Sequence, residues 1–131
     1  MKLITKNTDY AVMALRYLCK NKGKVTSVKD LTRGVGIPEP FLRTILQVLS
    51  QKKVLKSFRG RGGGFILATS PQKIFLGDLM RIFQGSFVLN ECIFKKKSCP
   101  YKHNCVLKQK VNGVESQIIA RLKSITLASL L

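Results

Sequence analysis

The 131-residue sequence has no tryptophan, a single histidine and only six acidic residues. One histidine leaves little material for acid-base catalysis, and no serine nucleophile elbow is present. The glycine-rich stretch "GRGGG" lacks the Gly-Lys-Ser/Thr that completes a phosphate-cradling loop. These absences argue against an enzyme.

Long apolar runs are also missing. No stretch approaches the ~20 residues of a membrane-spanning helix, and the opening "MKLITKNTD" lacks the apolar segment of a signal peptide. We therefore expect a cytoplasmic protein, in which thiols stay reduced. Hydrophobic residues still make up 45% of the chain, which is enough for a core that folds by burial.

The few acidic residues stand against 24 lysines and arginines, which gives a net charge of +18. The basic residues are spread along the chain rather than held in a tail. Such a field attracts polyanions, and each neutralised phosphate releases counterions. Nucleic acid is the first candidate partner. An anionic membrane surface and an RNA- or ribosome-binding role are the alternatives.

Two helices are predicted near the N-terminus. Residues 8–21 carry an apolar stripe at helical spacing, with Thr8 as cap and Asp9 in the first turn, where a carboxylate interacts favourably with the helix dipole. Ser27 is a good N-cap for a short second helix, and Gly34 is expected to end it.

A third helix is predicted in "PEPFLRTILQVLSQKK", because Pro38 and Pro40 suit a helix opening. A short helix, a tight turn and a longer amphipathic helix make a helix-turn-helix. The predicted buried stripe of the third helix consists of Phe41, Leu42, Ile45, Val48 and Leu49, and the outward positions are Arg43, Thr44, Gln47 and Ser50.

The next segment predicts a hairpin. "KVLKSF" and "GFILAT" read as strands on either side of "RGRGGG", a glycine-rich tip that carries Arg59 and Arg61. A helix-turn-helix followed by such a hairpin is a winged-helix domain. The predicted fold class is therefore mainly α with a small β-hairpin wing.

The C-terminal part predicts two more helices. The first covers about 76 to 84, and the second begins near Val106. The second helix has an apolar seam, which we expect to pair two copies of the chain, the alternative being that it packs on its own domain. The predicted division is a DNA-binding domain at 1–75, a connecting helix and cysteine loop at 76–105, and a dimerisation helix with a C-terminal cap at 106–131. The seam consists of Leu107, Val111, Val114, Ile118, Leu122 and Ile125.

Three of the four cysteines lie close together. Cys92, Cys99 and Cys105 are separated by six and five residues, unlike the paired knuckles of structural zinc sites. In a reducing compartment such thiols are metal ligands or redox centres more often than disulfides. Alternatively, the neighbouring lysines bind phosphate and the thiols are incidental. Cys19, among apolar residues of the first helix, is predicted to be a core thiol.

The assembled pattern resembles the family of winged-helix iron-sulfur transcriptional regulators of the IscR and NsrR type. The motifs that carry the resemblance are "TDYAVMALRYL" at 8–18, "IPEPFLRTILQVLSQKKVLKSFRGRGGGFILA" at 37–68, the three loop cysteines, "CVLKQKV" at 105–111 and the terminal "ITLASLL".

The resemblance implies a homodimer that binds double-stranded DNA and an iron-sulfur cluster on Cys92, Cys99 and Cys105, with four irons favoured and two irons as the alternative. The "TDY" context is closest to NsrR and implies Asp9, from the other subunit, as the fourth ligand. His103 is the alternative. The signal would be nitric oxide, redox state or iron. A zinc-bound or thiol-switched repressor without an iron-sulfur cluster is the rival function.

A helix-turn-helix reads bases with the N-terminal part of its second helix. The arginine there is the strongest candidate, since arginine pairs bidentately with guanine. The wing arginines would enter the minor groove or hold phosphates, and a two-fold dimer would recognise a near-palindrome. The predicted DNA contacts are Pro40, Phe41, Arg43, Thr44, Gln47, Arg59 and Arg61.

Overall fold

The computed structural model describes residues 2–89, 100–101 and 104–131. In these ranges the chain forms a winged helix followed by two further helices, as predicted. The helices are α1 (Lys6–Lys20), α2 (Val28–Val35), α3 (Glu39–Gln51), α4 (Leu76–Gln84) and α5 (Val106–Ser124); the strands are β1 (Leu55–Phe58) and β2 (Gly64–Leu67), and short 3₁₀ turns cover Pro71–Lys73 and Leu127–Leu130.

Helix α1 begins earlier than predicted. Thr5 is its N-cap, in an extended backbone conformation, and its hydroxyl oxygen accepts a hydrogen bond from the Thr8 backbone N–H at 3.5 Å. The prediction that Thr8 caps the helix was wrong, because Thr8 lies inside the first turn with its side chain fully buried. Asp9 lies in the first turn, as predicted.

Helix α2 begins as predicted and ends two residues later. The Ser27 hydroxyl oxygen accepts from the Asp30 backbone N–H at 3.1 Å. Gly36 is the C-cap, and its φ of 72° lies in the left-handed region that favours glycine. Gly34 was wrongly predicted to end the helix. It is required for packing instead, since a Cβ at this position would overlap the ring of Tyr17.

Helix α3 turns a slightly different face to the core from the one predicted. Its buried residues include Leu46, which the prediction omitted, whereas Val48 is only half-buried. Phe41 was wrongly placed in the core: it is 54% exposed. The core-facing side chains sit at spacings of three, one and three residues, and Phe41 lies on the flank of that stripe. They are Leu42, Ile45, Leu46 and Leu49.

The wing is a regular antiparallel hairpin, paired from Leu55 with Leu67 to Phe58 with Gly64. It is tied to the start of α2: the Thr26 N–H donates to the Phe65 carbonyl at 3.0 Å, and the Phe65 N–H donates to the Thr26 carbonyl at 2.9 Å. The two backbones approach so closely that a Cβ on Gly64 would collide with Thr26. The wing is therefore fixed to the helix-turn-helix.

The C-terminal segment packs back on the winged helix. The Leu76 N–H donates to the Ile125 carbonyl at 2.8 Å, and the Leu127 N–H donates to the Ile74 carbonyl at 2.7 Å. Leu127 is a member of the main core, which also holds Leu15. The C-terminal cap thus completes the core of the helix-turn-helix.

The predicted seam of α5 divides into two halves. Near the C-terminal end, Leu122 is buried with Leu76 and Met80 of α4, and Ile118 and Ile125 pack beside them. Towards the N-terminal end, Leu107 and Val114 are 69% and 51% exposed. Half of the seam therefore packs on its own chain. Within the described ranges no helix combines the length and apolarity that crossing a membrane requires.

Candidate nucleic-acid interface and cluster-ligand residues

A groove of about 710 Å³ lies between α3 and the wing. It is open to solvent and is bordered by basic and hydrogen-bonding side chains. Backbone hydrogen bonds between Thr26 and Phe65 hold the wing beside the start of α2, whose first residues also line the groove. Its lining includes Lys29, Arg43, Gln47, Ser57, Arg59 and Gly60.

The outer face of α3 holds the predicted base-reading side chains. Pro40, Phe41, Arg43, Thr44 and Gln47 are all exposed. The Thr44 hydroxyl donates to the Pro40 carbonyl at 3.2 Å, so its hydrogen is already used within the helix. Glu39 was not predicted to take part, yet its Oε1 lies 2.7 Å from the Arg43 Nη2. The helix therefore presents a paired guanidinium.

The wing tip carries Arg59 and Arg61, both exposed. A backbone hydrogen bond from Gly63 N–H to the Gly60 carbonyl at 3.0 Å closes the turn, in which Gly60 and Gly62 have φ of 87° and 72°. These left-handed angles explain why glycine surrounds the arginines. The structure brings Arg43 and Arg59 to one groove, whereas Arg61 is not among the residues that line it.

Phe41 connects the interface to α1. The Lys6 ammonium lies 5.6 Å from the centroid of the Phe41 ring and 5.4 Å from that of Tyr10. Both distances are within the range of a cation–π contact. Lys6 of α1 therefore lies beside the exposed Phe41 ring near the start of α3.

Asp9 is exposed on the first turn of α1, one residue after buried Thr8. The position of this turn is fixed by Gln84, the last residue of α4. The Gln84 Oε1 accepts from the Thr8 hydroxyl at 2.8 Å and from the Thr5 N–H at 3.1 Å. Neither periodicity nor a capping pattern points to Gln84, because its role depends on a contact between helices that are distant in sequence.

Cys105 is the N-cap of α5, and its Sγ accepts from the Lys108 N–H at 3.4 Å. The thiol is partly exposed and not in a disulfide within the described part of the chain. The other predicted ligands, Cys92, Cys99 and His103, lie outside the described residues. In the described ranges, no three His, Cys, Asp or Glu side chains come together in a metal-binding group.

Cys19 is buried, as predicted, and burial raises the pKa of its thiol, while Lys22 lowers it to a smaller extent.

Glu115 of α5 accepts a hydrogen bond from the Leu89 N–H at 3.2 Å. This bond attaches the chain just before the cysteine segment to α5.

The exposed face of α3, the basic groove and the wing together define a winged-helix DNA-binding protein. Over residues 4–131 the chain matches the model of the Rrf2 family, described as an iron-dependent transcriptional regulator. The chain belongs to the Rrf2 family. The family consists of transcriptional regulators rather than enzymes, and its members bind DNA and are typically dimeric.

Individual relatives agree with this assignment. The chain is 30% identical over 132 residues to the HTH-type transcriptional regulator NsrR of Bacillus subtilis (strain 168), covering 99% of this chain and 90% of that relative. The structure of T. potens IscR is 30% identical, with a TM-score of 0.75, and covers 99% of this chain and 85% of its own. CymR, the global cysteine regulator of B. subtilis, has a TM-score of 0.77 at 24% identity and shares the fold. The predicted family and fold are confirmed.

Proposed function

We propose that this Rrf2 protein is a homodimeric, cytoplasmic transcriptional regulator whose operator binding is controlled by a labile iron-sulfur cluster. The observation that carries the proposal is the position of Cys105: a partly exposed thiol at the start of α5, the helix that also carries the exposed apolar residues. A ligand at this point connects a cluster to the proposed dimer helix. The iron-sulfur regulators NsrR and IscR, as relatives at 30% identity, support this function.

The proposed ligands are Cys92, Cys99 and Cys105, with Asp9 of the partner subunit as the fourth and His103 as the alternative. Thiolates are the usual ligands of iron-sulfur clusters, with four irons favoured here and two as the alternative. Among the described ligands, Cys105 fits the group, since the residue is partly exposed and its Sγ lies at a helix N-terminus, which interacts favourably with negative charge. Asp9 fits as an exposed carboxylate on a turn fixed by Gln84.

When bound, the cluster would supply a group that nitric oxide, oxygen or iron depletion can alter. The protein's own residues would transmit that change. Cys105 begins α5, and the C-terminal half of α5 packs on α4 through Leu122, Leu76 and Met80. Helix α4 in turn holds the first turn of α1 through Gln84. We propose that this chain of contacts sets the distance between two DNA-reading units.

The proposed dimer uses the N-terminal half of α5, where Leu107 and Val114 are exposed. Pairing these residues with a second copy would remove apolar surface from water. A two-fold dimer would read a near-palindrome with half-sites about 34 Å or a multiple of it apart. Within each half-site, Arg43 would pair with guanine, and Arg59 and Arg61 would hold phosphates or enter the minor groove.

The test of the cluster is anaerobic purification with absorption spectroscopy and iron and sulfide analysis, performed on the wild type, Asp9→Ala and His103→Ala. We expect a brown protein whose cluster becomes unstable in Asp9→Ala and persists in His103→Ala. Asp30→Ala is the matched control, as another exposed carboxylate in a first helical turn. The reverse result would make His103 the ligand. A colourless protein would favour the rival function: bound zinc would indicate the zinc-bound repressor, and no metal would indicate the thiol-switched repressor.

DNA binding is tested separately, with operator duplexes and protein in the cluster-bound and cluster-free states. Equal affinity in the two states would contradict control by the cluster and leave DNA binding intact. Arg43→Ala should weaken binding by about 1 to 3 kcal/mol and relax preference at one position per half-site. If the loss were the same on every sequence, Arg43 would be a phosphate contact.

A further inference from the structure

Among the residues that the structure describes, hydrogen bonds hold one edge of the Arg43 guanidinium. Glu39 Oε1 accepts from the Arg43 Nε–H at 3.2 Å and from Nη2 at 2.7 Å. These two nitrogens form the side edge of the guanidinium plane. The end edge, made of Nη1 and the second hydrogen of Nη2, is not part of this contact, and it is an edge that can pair with the O6 and N7 atoms of guanine.

The ion pair is placed where it can act on DNA reading rather than on stability. Glu39 is the first residue of α3 and Arg43 lies one turn later, with side chains 38% and 57% exposed. An exposed pair at this spacing contributes little to helix stability. It nevertheless restricts the rotation of a long side chain and so sets the direction of the guanidinium plane.

We propose that Glu39 is a positioning residue that determines specificity: it holds Arg43 so that the end edge of the guanidinium faces a guanine. This inference rests on the proposed reading of guanine by Arg43. Glu39 also brings a negative charge close to the DNA phosphates, which lowers affinity for every sequence alike. Its removal should therefore change affinity and discrimination in opposite directions.

The experiment uses the full chain, purified anaerobically, on an operator obtained by in vitro selection. Binding is measured to four duplexes that differ only at the position where Arg43→Ala loses preference, and to an unrelated duplex. For Glu39→Gln we expect tighter binding to the unrelated duplex and a loss of about fivefold in the preference for guanine. Asp78→Asn is the matched control, since Asp78 is an exposed carboxylate in the first turn of α4. It should leave the preference unchanged.

Glu39→Asp separates the effect of the carboxylate charge from the effect of side-chain length. It keeps the carboxylate but shortens the side chain by one methylene, so we expect a reduced preference for guanine without tighter binding to the unrelated duplex. An unchanged preference in both Glu39 variants, with a discriminating wild type, would overturn the role of Glu39 alone. If the wild type itself showed no preference at any position, sequence-specific reading and the role of Glu39 would both be overturned. Circular dichroism would establish that each variant is folded.

Discussion

Replacing Gln84 with alanine should destabilise the protein more than a single surface hydrogen bond would suggest. The Gln84 Oε1 accepts from the Thr5 N–H at 3.1 Å, the Thr5 hydroxyl at 3.3 Å and the Thr8 hydroxyl at 2.8 Å, and its Nε2 donates to the Leu3 carbonyl at 3.0 Å. These contacts join residues about 80 positions apart in sequence.

The magnitude follows from what remains after the side chain is removed. An average hydrogen bond contributes about 1 kcal/mol, and a buried donor that loses its acceptor costs about 1 to 3 kcal/mol. The substitution removes the Gln84 acceptor of the fully buried Thr8 hydroxyl, for which the Thr5 hydroxyl, 3.2 Å away, remains a partner, and it also breaks the bonds of Gln84 to the Thr5 N–H and the Leu3 carbonyl. We therefore expect Gln84→Ala to lower the free energy of unfolding by about 2 to 3 kcal/mol, or the melting temperature by roughly 6 to 12 °C.

The assay is urea denaturation followed by circular dichroism, at one protein concentration so that any dimerisation contributes equally. Gln72→Ala is the control, because Gln72 is exposed in the first 3₁₀ turn. The double variant with Thr8→Val should lose less than the sum of the two single variants, since both single variants break the same hydrogen bond between Thr8 and Gln84. A loss below about 0.5 kcal/mol in Gln84→Ala would refute the reasoning.

Three further predictions concern the core, the glycines and the dimer. Because burial raises the pKa of the Cys19 thiol above its ordinary value, the native state holds this proton more tightly than the unfolded state. The contribution of this raised pKa to the free energy of unfolding is full below about pH 9 and is lost as the pH rises through the folded-state pKa. We therefore expect the difference in unfolding free energy between wild type and Cys19→Ala to stay constant up to about pH 9. Above this pH the wild type should lose stability relative to Cys19→Ala, as measured by denaturation at several pH values. Gly34→Ala should cost about 1 to 2 kcal/mol through overlap with an aromatic ring, whereas Gly113→Ala, with open space in α5, should stabilise by up to about 1 kcal/mol in the same assay. Leu107→Asp with Val114→Asp should give a monomer by sedimentation, since both are exposed on α5; a persistent dimer would contradict pairing through this half of the helix.

Local signals in the sequence were sufficient for most elements. Ser27 caps α2 as predicted, because a cap depends on residues three positions apart. The hairpin was predictable for a similar reason: its strands are separated by a short glycine-rich turn. Errors arose where two residues of the same type competed. Thr5 rather than Thr8 caps α1, because Thr8 is buried inside the first turn of the helix.

The candidate site was predictable in part. The exposed positions of α3, including Arg43, followed from its amphipathic pattern. The pairing of Arg43 with Glu39 follows helical spacing and could have been found as an acidic residue four positions before a basic one. Gln84 could not have been found, because nothing local distinguishes it from an exposed glutamine. Phe41 was wrongly predicted to be buried, because it is an apolar residue at the edge of the buried stripe of α3, whereas the structure leaves it exposed.

Because the C-terminal segment packs in the core, the winged helix cannot be separated from it as an independent unit. Leu127 is 1% exposed and packs in the same core as the helices that present the DNA-reading face. A fragment reduced to the helix-turn-helix and wing would therefore open a cavity at its own centre. Exchange of recognition surfaces between relatives should succeed when only the outer residues of α3 and the wing are transplanted, and should fail when the whole winged helix is moved without the segment that fills it.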